Sequence, residues 1–336
     1  MLNRAPLIAF VICSVFSVLF QQQPIQAAPP KTAKIIEVKK IWDKAPHNAF
    51  TDLIRFKDQW YCVFREGKGH VSPDGALRVL RSSDGKQWTA ASLVTSKTAD
   101  LRDAKIAISP QGQLVLAGAG ALHQPAAAKH QSFIWYSDDG NQWSEAIPIG
   151  DPNYWIWRVV WNKKTAYGIG YKTVSPRGTR LYKSEDGKKF ETVVPAFDIS
   201  GYANETAIHF ESDGSALCVI RRDGKPNDAL LGTSSKPYTQ WSWKSLGMYV
   251  GGPQMIKLPD GRFVVAGRDL RGGAKTKLWW LDPNKAELKE IIALPSGGDT
   301  SYPGMVYHNN ELWVSYYSSH EGKTSIYMAR VKLPSK

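Results

Sequence analysis

The sequence has 336 residues, a formal net charge of +13 and three cysteines. This length accommodates one large domain or two ordinary ones, and so few cysteines exclude a fold held by a disulfide framework. The basic excess favours acidic partners such as anionic glycans, nucleic acid or a membrane surface, although a solvated basic surface explains it equally well. The lysines are scattered and no nucleic-acid-binding motif occurs, so we expect no nucleic-acid partner.

The first residues have the pattern of an export signal. Arg4 precedes an apolar run of about fifteen residues, which is short for a membrane span, and small residues follow at Ala27 and Ala28. We predict a cleaved signal peptide at 1–28 and one domain at 29–336, exported to the periplasm or the medium. An uncleaved anchor is the alternative, and otherwise we expect no stable membrane insertion and a monomer.

The cysteines predict neither disulfide nor metal. Cys13 lies within the signal, where Ile12 occupies the place of the small residue that a lipoprotein site requires. Cys62 and Cys218 remain, and no CxxC or His-rich spacing accompanies them. We therefore predict no cofactor and no metal site, and a fold that depends on its own core.

A seven-residue element recurs along the chain. The copies are SSDGKQW (Ser82–Trp88), SDDGNQW (Ser137–Trp143) and SEDGKKF (Ser184–Phe190), and an altered copy runs from Thr233 to Trp241. The copies start 55 and then 47 residues apart, and strand-like segments lie between them. Periods near fifty residues are typical of propellers.

Each period has the same order of segments: a polar or aromatic start, a first strand, a turn and a second strand. Six such units account for nearly the whole chain after the signal. We predict an all-β, six-bladed β-propeller of four-stranded antiparallel blades. Cys62 and Cys218 then lie in opposite blades, which makes a disulfide between them improbable. The first strands begin near these positions: 47, 100, 155, 204, 251 and 301.

The repeated element is a structural turn in this interpretation. Its Asp bonds to nearby backbone amides, its Gly takes a positive φ and its terminal aromatic packs under the turn. A catalytic residue has no need of three copies. The chemistry is therefore expected elsewhere.

The mouth of the central channel is the expected site. First strands of a propeller line the axis, so their starting ends share one mouth with the finishing ends of the second strands. Polar, charged and tyrosine side chains gather at these positions although Val, Ile and Ala flank them: His47, Asn48, Arg102, Asp103, Arg158, Glu205, Gln254, Tyr302, Arg65, Glu66, His123, Arg221, Arg222, Arg268 and Tyr316.

The repeated element resembles the Asp-box of the sialidase superfamily. The segment NETAIHFESDGSALCVIRR is similar to the sialidase stretch in which a Glu opens one strand and a substrate-binding Arg closes the next, sixteen residues later. This resemblance implies that Glu205 assists the nucleophile and that Arg221 binds substrate. The segment TSYPGMVY resembles the strand of the nucleophile, which implies Tyr302.

The resemblance implies further roles. Arg268 corresponds to a second substrate-binding arginine, and Asp74, in SPDG, matches the acid/base aspartate, with Asp103 as its rival. The sialidase Arg-Ile-Pro motif is absent, since the first blade has His47 and Asn48 at that place. Further candidates for substrate binding at the mouth are Arg65, His47 and Arg158.

These residues predict an exported, retaining sialidase-like glycoside hydrolase that acts on a terminal, acidic sugar of a glycan or glycoconjugate. A tyrosine needs a base to act as nucleophile, and Glu205 is the expected base for Tyr302. Two alternatives stay open. One is a glycosidase that uses Glu205 with Asp103 or Asp74 as a carboxylate pair on another sugar. The other is a propeller that binds glycans without cleaving them.

Overall fold

The computed structural model describes residues 32–124 and 128–335, and these residues form six four-stranded antiparallel sheets. The predicted signal peptide at 1–28 lies outside the described residues. Within them there is no helix long and apolar enough to cross a membrane. The prediction of a six-bladed, all-β propeller is confirmed.

Five blades are continuous in sequence, and each places its strands from the axis outward in chain order. Their strands are, for blade one, β2 (His47–Phe56), β3 (Gln59–Gly67), β4 (Ala76–Ser82) and β5 (Thr89–Val94); for blade two, β6 (Ala99–Ile108), β7 (Leu114–Leu122), β8 (His130–Ser137) and β9 (Ile147–Ile149); for blade three, β10 (Tyr154–Asn162), β11 (Thr165–Lys172), β12 (Thr179–Ser184) and β13 (Glu191–Val194); for blade four, β14 (Tyr202–Phe210), β15 (Ser215–Asp223), β16 (Leu230–Ser235) and β17 (Ser242–Ser245); and for blade five, β18 (Gly251–Lys257), β19 (Phe263–Asp269), β20 (Lys275–Asp282) and β21 (Glu287–Ala293).

The sixth blade joins both ends of the described chain. Its inner strands are β22 (Thr300–His308), β23 (Glu311–Ser318) and β24 (Ser325–Lys332), and its outer strand is β1 (Lys34–Trp42), which pairs antiparallel with β24. This pairing covers the outer edge of β24 and closes the ring. The sequence pattern did not predict the partner of β1.

The hydrophobic core lies between neighbouring blades. Apolar side chains from the facing surfaces of adjacent sheets interdigitate, as Trp60 of blade one and Trp313 of blade six do with ring centres 4.6 Å apart. Cys62 and Cys218 are buried and free, which confirms that no disulfide joins them. Burial of such apolar surface stabilises a fold by roughly 25 cal/mol per Å².

Candidate active site

All six inner strands carry the same irregularity. Between each inner strand and its neighbour the register slips by one residue at one level of the ring, which is a β-bulge. Bulges re-aim side chains and are frequent beside active sites. Four of the predicted site residues occupy these bulges: Asp103, Arg158, Glu205 and Tyr302.

Glu205 and Tyr302 meet although 97 residues separate them in sequence. The Tyr302 hydroxyl donates to Glu205 Oε1 at 2.5 Å, and Arg221 Nη1 donates to the same oxygen at 2.7 Å. Arg221 Nη1 also lies 3.3 Å from the Tyr302 hydroxyl. The phenol of Tyr302 and the guanidinium of Arg221 thus both donate to one oxygen of the Glu205 carboxylate.

Two further contacts hold this cluster. Gly252 N donates to Glu205 Oε2 at 2.7 Å, so both oxygens of the carboxylate are bonded. A Cβ at Gly252 would lie 1.8 Å from the Tyr302 ring, and φ there is +58°, so only glycine fits. On the other side, Asp223 binds Arg221 through Nε at 3.0 Å and Nη2 at 2.9 Å, which fixes the guanidinium plane.

The surroundings shift the pKa values of Glu205 and Tyr302 in opposite directions. Burial alone would raise the pKa of Glu205, but the charge and hydrogen bond of Arg221 more than offset it, and the pKa lies below its ordinary value. Burial, followed by the negative charge of Glu205, raises the pKa of Tyr302 well above 10. Glu205 is therefore the ionised acceptor and Tyr302 the neutral donor at neutral pH.

Asp103 is the second carboxylate of the mouth. It is 8% exposed with φ of 54°, and within the described chain no residue donates a hydrogen bond to its carboxylate. Burial raises the pKa of Asp103 to about 6, and the charge of Glu205 contributes in the same direction. Such a carboxyl exchanges a proton near neutral pH, which is the property required of a general acid.

Lys105 lies in the wall of the channel beside these acids. It is 2% exposed, and its Nζ is 4.6 Å from the Trp157 ring centre and 5.8 Å from that of Tyr302. Burial lowers the pKa of Lys105 to about 8. Its cation opposes the effect of burial on Asp103 and favours negative charge on Tyr302.

Arg268 is the arginine with donors to spare. Its guanidinium lies 5.6 Å from the Tyr302 ring centre, its Nε is buried without a hydrogen-bond partner among the described residues, and its Nη1 donates to Thr300 O at 3.4 Å. Asp299 Oδ1 is 3.9 Å away. Arg268 therefore retains hydrogen-bonding capacity that a bound ligand can use.

His47 lies beside Asp299 rather than against the phenol. Its Nε2 is 2.9 Å from Asp299 Oδ2, and His70 Nδ1 is 2.7 Å from the same oxygen. Two imidazoles and one carboxylate therefore converge at the rim of the mouth. These are the described side chains whose donor atoms could hold a metal ion.

Three predicted site residues lie in other settings. Arg65 is fully buried, and its Nε, Nη1 and Nη2 all donate to Asp100, Gly69 and Ser72. Because this side chain is fully buried, the structure does not place Arg65 where a sugar can reach it, contrary to the prediction that it binds substrate. Its guanidinium organises the loop between β3 and β4 instead.

Arg158 and Asp74 also have local partners. Arg158 Nη1 forms a buried ion pair with Asp52 at 2.6 Å, so the Asp52 carboxylate neutralises much of its charge. Asp74 is exposed and accepts from Lys68 N at 3.2 Å in the turn that SPDG predicts. Although burial acts to raise it, the hydrogen bonds of Ser72 and Lys68 leave the pKa of Asp74 below its usual value, which is unlike a general acid.

Sequence reasoning missed five residues of this site: Asp223, Gly252, Lys105, His70 and Asp299. Asp223 had the clearest signal in the sequence. It lies two residues after Arg221 on the same strand, and residues two apart on a strand point to the same face. His70 and Asp299 lie in connections between strands and had no periodic signal. Their meeting depends on how the first and last blades close the ring.

No protein-family model and no curated protein matches this chain by sequence. Solved structures do match. A protein of unknown function from Dyadobacter fermentans has 19% identity and a TM-score of 0.80, over 90% of this chain and 100% of its own. The α-L-arabinofuranosidase of Fusarium graminearum, solved with an iminosugar inhibitor, has 13% identity and a TM-score of 0.72, over 89% and 98%.

The sialidase of Trypanosoma rangeli, in complex with the inhibitor DANA, has 13% identity and a TM-score of 0.69. The match covers 90% of this chain and spans 60% of the sialidase. At these identities the similarity shows a shared fold, that of the sialidase-like six-bladed propellers. The resemblance predicted from the sequence is thus borne out at the level of the fold.

Proposed function

We propose that this protein is a retaining glycoside hydrolase that releases a terminal sugar at the mouth of the propeller. The observation that carries the proposal is the 2.5 Å hydrogen bond between Tyr302 and Glu205, with Arg221 on the same carboxylate oxygen. Asp103, whose pKa is raised to about 6, supplies an acid at the same mouth. Propeller glycosidases among the structural matches support the class of reaction.

The reaction takes two steps. In the first, the Tyr302 hydroxyl passes its proton to Glu205 and attacks the anomeric carbon, while Asp103 protonates the departing oxygen. In the second, Asp103 takes a proton from water, water attacks the same carbon, and Glu205 returns its proton to the released phenolate. Arg221, 3.3 Å from the phenol oxygen, stabilises the charge that develops there.

Arg268 supports an acidic sugar as substrate. Its guanidinium lies 5.6 Å from the Tyr302 ring centre, and a guanidinium binds a carboxylate through two parallel hydrogen bonds. Arg221 contributes less to such binding, because Asp223 and Glu205 already occupy most of its donors. The substrate proposal therefore rests mainly on Arg268.

A carboxylate pair acting on a neutral sugar is the second candidate. It is favoured by the commitment of Arg221 to Asp223 and Glu205, which leaves fewer cations for an anionic substrate. In that mechanism Glu205 is the nucleophile and Tyr302 only holds it in place. The arabinofuranosidase match has the same propeller fold and supports testing this class.

A glycoside panel tests the activity. Aryl sialosides, α-L-arabinofuranosides and uronides are incubated with wild type, Glu205→Gln, Tyr302→Phe and Tyr317→Phe. Tyr317 is the matched control, because its buried hydroxyl has no hydrogen-bond partner in the described part of the chain and its ring is 5.9 Å from that of Tyr302. We expect Glu205→Gln and Tyr302→Phe to lose about 10³-fold or more, and Tyr317→Phe to stay near wild type.

Trapping with a fluorinated glycoside then identifies the nucleophile by peptide mapping. Label on Tyr302 supports the first mechanism, and label on Glu205 supports the second. Sugar binding without turnover in every variant contradicts both and supports a glycan-binding propeller.

We also propose that the protein is exported. The support is the signal-like sequence that ends near Ala28. Cell fractionation with N-terminal sequencing checks it: the exported protein is expected to start near residue 28, and an intact Met1 in the cytoplasm contradicts export.

A further inference from the structure

We propose that His47, His70 and Asp299 form a binding site for a borderline divalent cation such as Zn²⁺ at the rim of the mouth. Each of the three offers one ligand atom, and all three atoms lie within 4.8 Å of one another. The residues come from the start of β2, the loop after β3 and the connection before β22. Binding of the cation at this site does not require the proposed glycosidase chemistry.

The three side chains are positioned before any ion binds. His70 packs its ring edge-on against Phe50 at 5.0 Å and against His47 at 5.5 Å. The backbone of Asp299 is held at both ends, since its N donates to Ser319 Oγ at 2.8 Å and its O accepts from Ser319 N at 3.0 Å. A preorganised set of ligands reduces the entropy lost on binding.

The donor set selects the metal. Two imidazole nitrogens with one carboxylate suit zinc, cobalt or nickel, whereas calcium and magnesium prefer oxygen ligands. Ligand bonds of about 2.0–2.2 Å place tetrahedral donors about 3.3 Å apart. The 2.7 and 2.9 Å separations from Asp299 to His70 and His47 must therefore lengthen by about half an ångström.

The site keeps an open side. The His70 side chain is 51% exposed, while His47 is buried, so solvent reaches the group from one direction. Three protein ligands with a vacant fourth position are typical of zinc sites that bind water or substrate. Phe50, which contacts His70 at 5.0 Å, also contacts the Tyr302 ring at 5.4 Å. A ligand at the vacant position therefore lies next to the candidate active site.

The charges around the vacant fourth position indicate which kind of ligand would bind there. Asp299 is the carboxylate of the group, and Arg268 Nη1 lies 3.9 Å from its Oδ1. A divalent cation held by one carboxylate next to an arginine leaves net positive charge at the rim. Such a rim suits an anionic group, for example the carboxylate of an acidic sugar.

Metal binding alone tests the site. Chelator-stripped protein is titrated with ZnCl₂ by calorimetry, and Co²⁺ loading is followed by its visible absorption. The variants are His70→Ala, Asp299→Asn and, as matched control, His308→Ala, which removes a histidine from the opposite end of β22. His70 is half-exposed, so its removal should leave the fold intact, which circular dichroism verifies.

We expect one Zn²⁺ per chain and a tetrahedral Co²⁺ spectrum in wild type and His308→Ala. His70→Ala and Asp299→Asn should weaken binding by about 100-fold or more, since losing a ligand exceeds the 10–100-fold cost of losing an outer contact. No uptake at about 1 mM Zn²⁺, or equal binding by His70→Ala and His308→Ala, overturns the proposal. Neither result depends on glycosidase activity.

Discussion

The Glu205 carboxylate divides its two oxygens between different tasks. Oε2 accepts from the Gly252 backbone, which fixes its orientation, and Oε1 accepts from Tyr302 and Arg221, where chemistry is proposed. Because a charged guanidinium contacts Oε1, the carboxylate stays ionised despite its burial. The phenol therefore always faces a base that is ready to accept its proton.

Arg221 and Arg268 are expected to respond differently to replacement by lysine. Arg268→Lys removes a planar guanidinium that has free donors. It should weaken the binding of acidic sugars by about 1.5–3 kcal/mol, roughly a 10–150-fold increase in KM, and change the binding of neutral sugars little. Arg221→Lys disturbs the position of Glu205 and should lower kcat for both classes. Steady-state kinetics on paired acidic and neutral glycosides measures these effects. If Arg268→Lys raises KM equally for acidic and neutral glycosides, Arg268 does not recognise a carboxylate.

The pH profile of the proposed glycosidase activity should depend on Asp103. Burial is the main cause of its raised pKa, the charge of Glu205 adds to it, and the charges of Lys105, Arg102 and His70 oppose it. Because the proposed acid must be protonated and the pKa of Asp103 is about 6, kcat/KM should fall as the pH rises through 6. Asp103→Asn should abolish this fall of kcat/KM above pH 6, the basic limb of the profile. It should also slow the hydrolysis of alkyl glycosides by about 10²–10⁴-fold, and that of dinitrophenyl glycosides by a much smaller factor.

Asp74→Asn is the control for this measurement, because its carboxylate is exposed and serves a turn. It should keep the limb near pH 6. A limb that survives in Asp103→Asn and disappears in Asp74→Asn assigns the acid to Asp74, as the sequence resemblance first implied.

At the scale of the strand and turn, the repeated SxDG element joins blades as well as turning the chain. In blade two, Asp139 Oδ1 accepts from Asn141 N at 2.8 Å and Gln142 N at 3.2 Å. The Tyr61 hydroxyl of blade one donates to the Asp139 carbonyl at 2.9 Å. The Tyr136 hydroxyl of blade two donates to the carbonyl of Gly187, one position further along the element of blade three, at 2.8 Å. The turns are therefore structural, as their repetition indicated.

Asp139→Asn should destabilise the fold without changing its activity. The side chain and backbone of Asn141 and the backbone of Gln142 lower the pKa of Asp139 to about 2. A lowered carboxyl pKa stabilises the fold above about pH 5, and this contribution is lost as the pH falls towards 2. Because Asp139 is exposed and solvent screens its charge, we expect a loss of only about 1 kcal/mol at pH 7, which shrinks below pH 4. Urea denaturation across this range measures it.

Asp58→Asn is the matched control, since Asp58 is exposed and, among the described residues, forms an ion pair with Arg55 alone, at 3.6 Å. It should leave stability within about 0.5 kcal/mol of wild type. An equal effect of both substitutions at pH 7 shows that the turn does not use the carboxylate as described.

At the scale of the whole molecule, one pairing closes the ring. The outer strand β1 pairs with β24 of the last blade, and Trp42 at its end donates to Glu66 Oε1 of the first blade at 2.6 Å. Arg330 and Glu37 form a further contact across the pairing at 3.2 Å. The first and last blades, which carry His47, His70 and Asp299, are brought together by this closure.

Removal of β1 should open the ring. A chain that begins at Ala45 exposes the edge of β24, and unpaired edges promote aggregation. We expect a lower Tm, aggregation and loss of turnover, whereas a chain that begins at Thr32 behaves as the full chain does. Adding an excess of the peptide Lys34–Trp42 should restore part of the Tm. Identical melting of the two truncated chains contradicts the closing role of β1.

The sequence by itself determined the architecture. Strand periodicity, SxDG turns and a period near fifty residues are local signals, and a blade is local because its strands pair in chain order. The starts of the first strands were therefore predictable, and with them the level of the ring where Asp103, Glu205 and Tyr302 stand. Only β1 escaped, because it pairs with a strand almost 300 residues away, at Ser325–Lys332.

Tertiary structure alone decided which of the residues at the mouth share a contact. Glu205 and Tyr302 belong to different blades, and their 2.5 Å bond requires matched bulges and a glycine at 252. Nothing in the local sequence distinguishes the fully buried guanidinium of Arg65 from the partly exposed one of Arg268, because the burial and the Asp100 partner of Arg65 depend on the neighbouring blade. A propeller's scaffold is encoded within each repeat, whereas its site is formed between repeats.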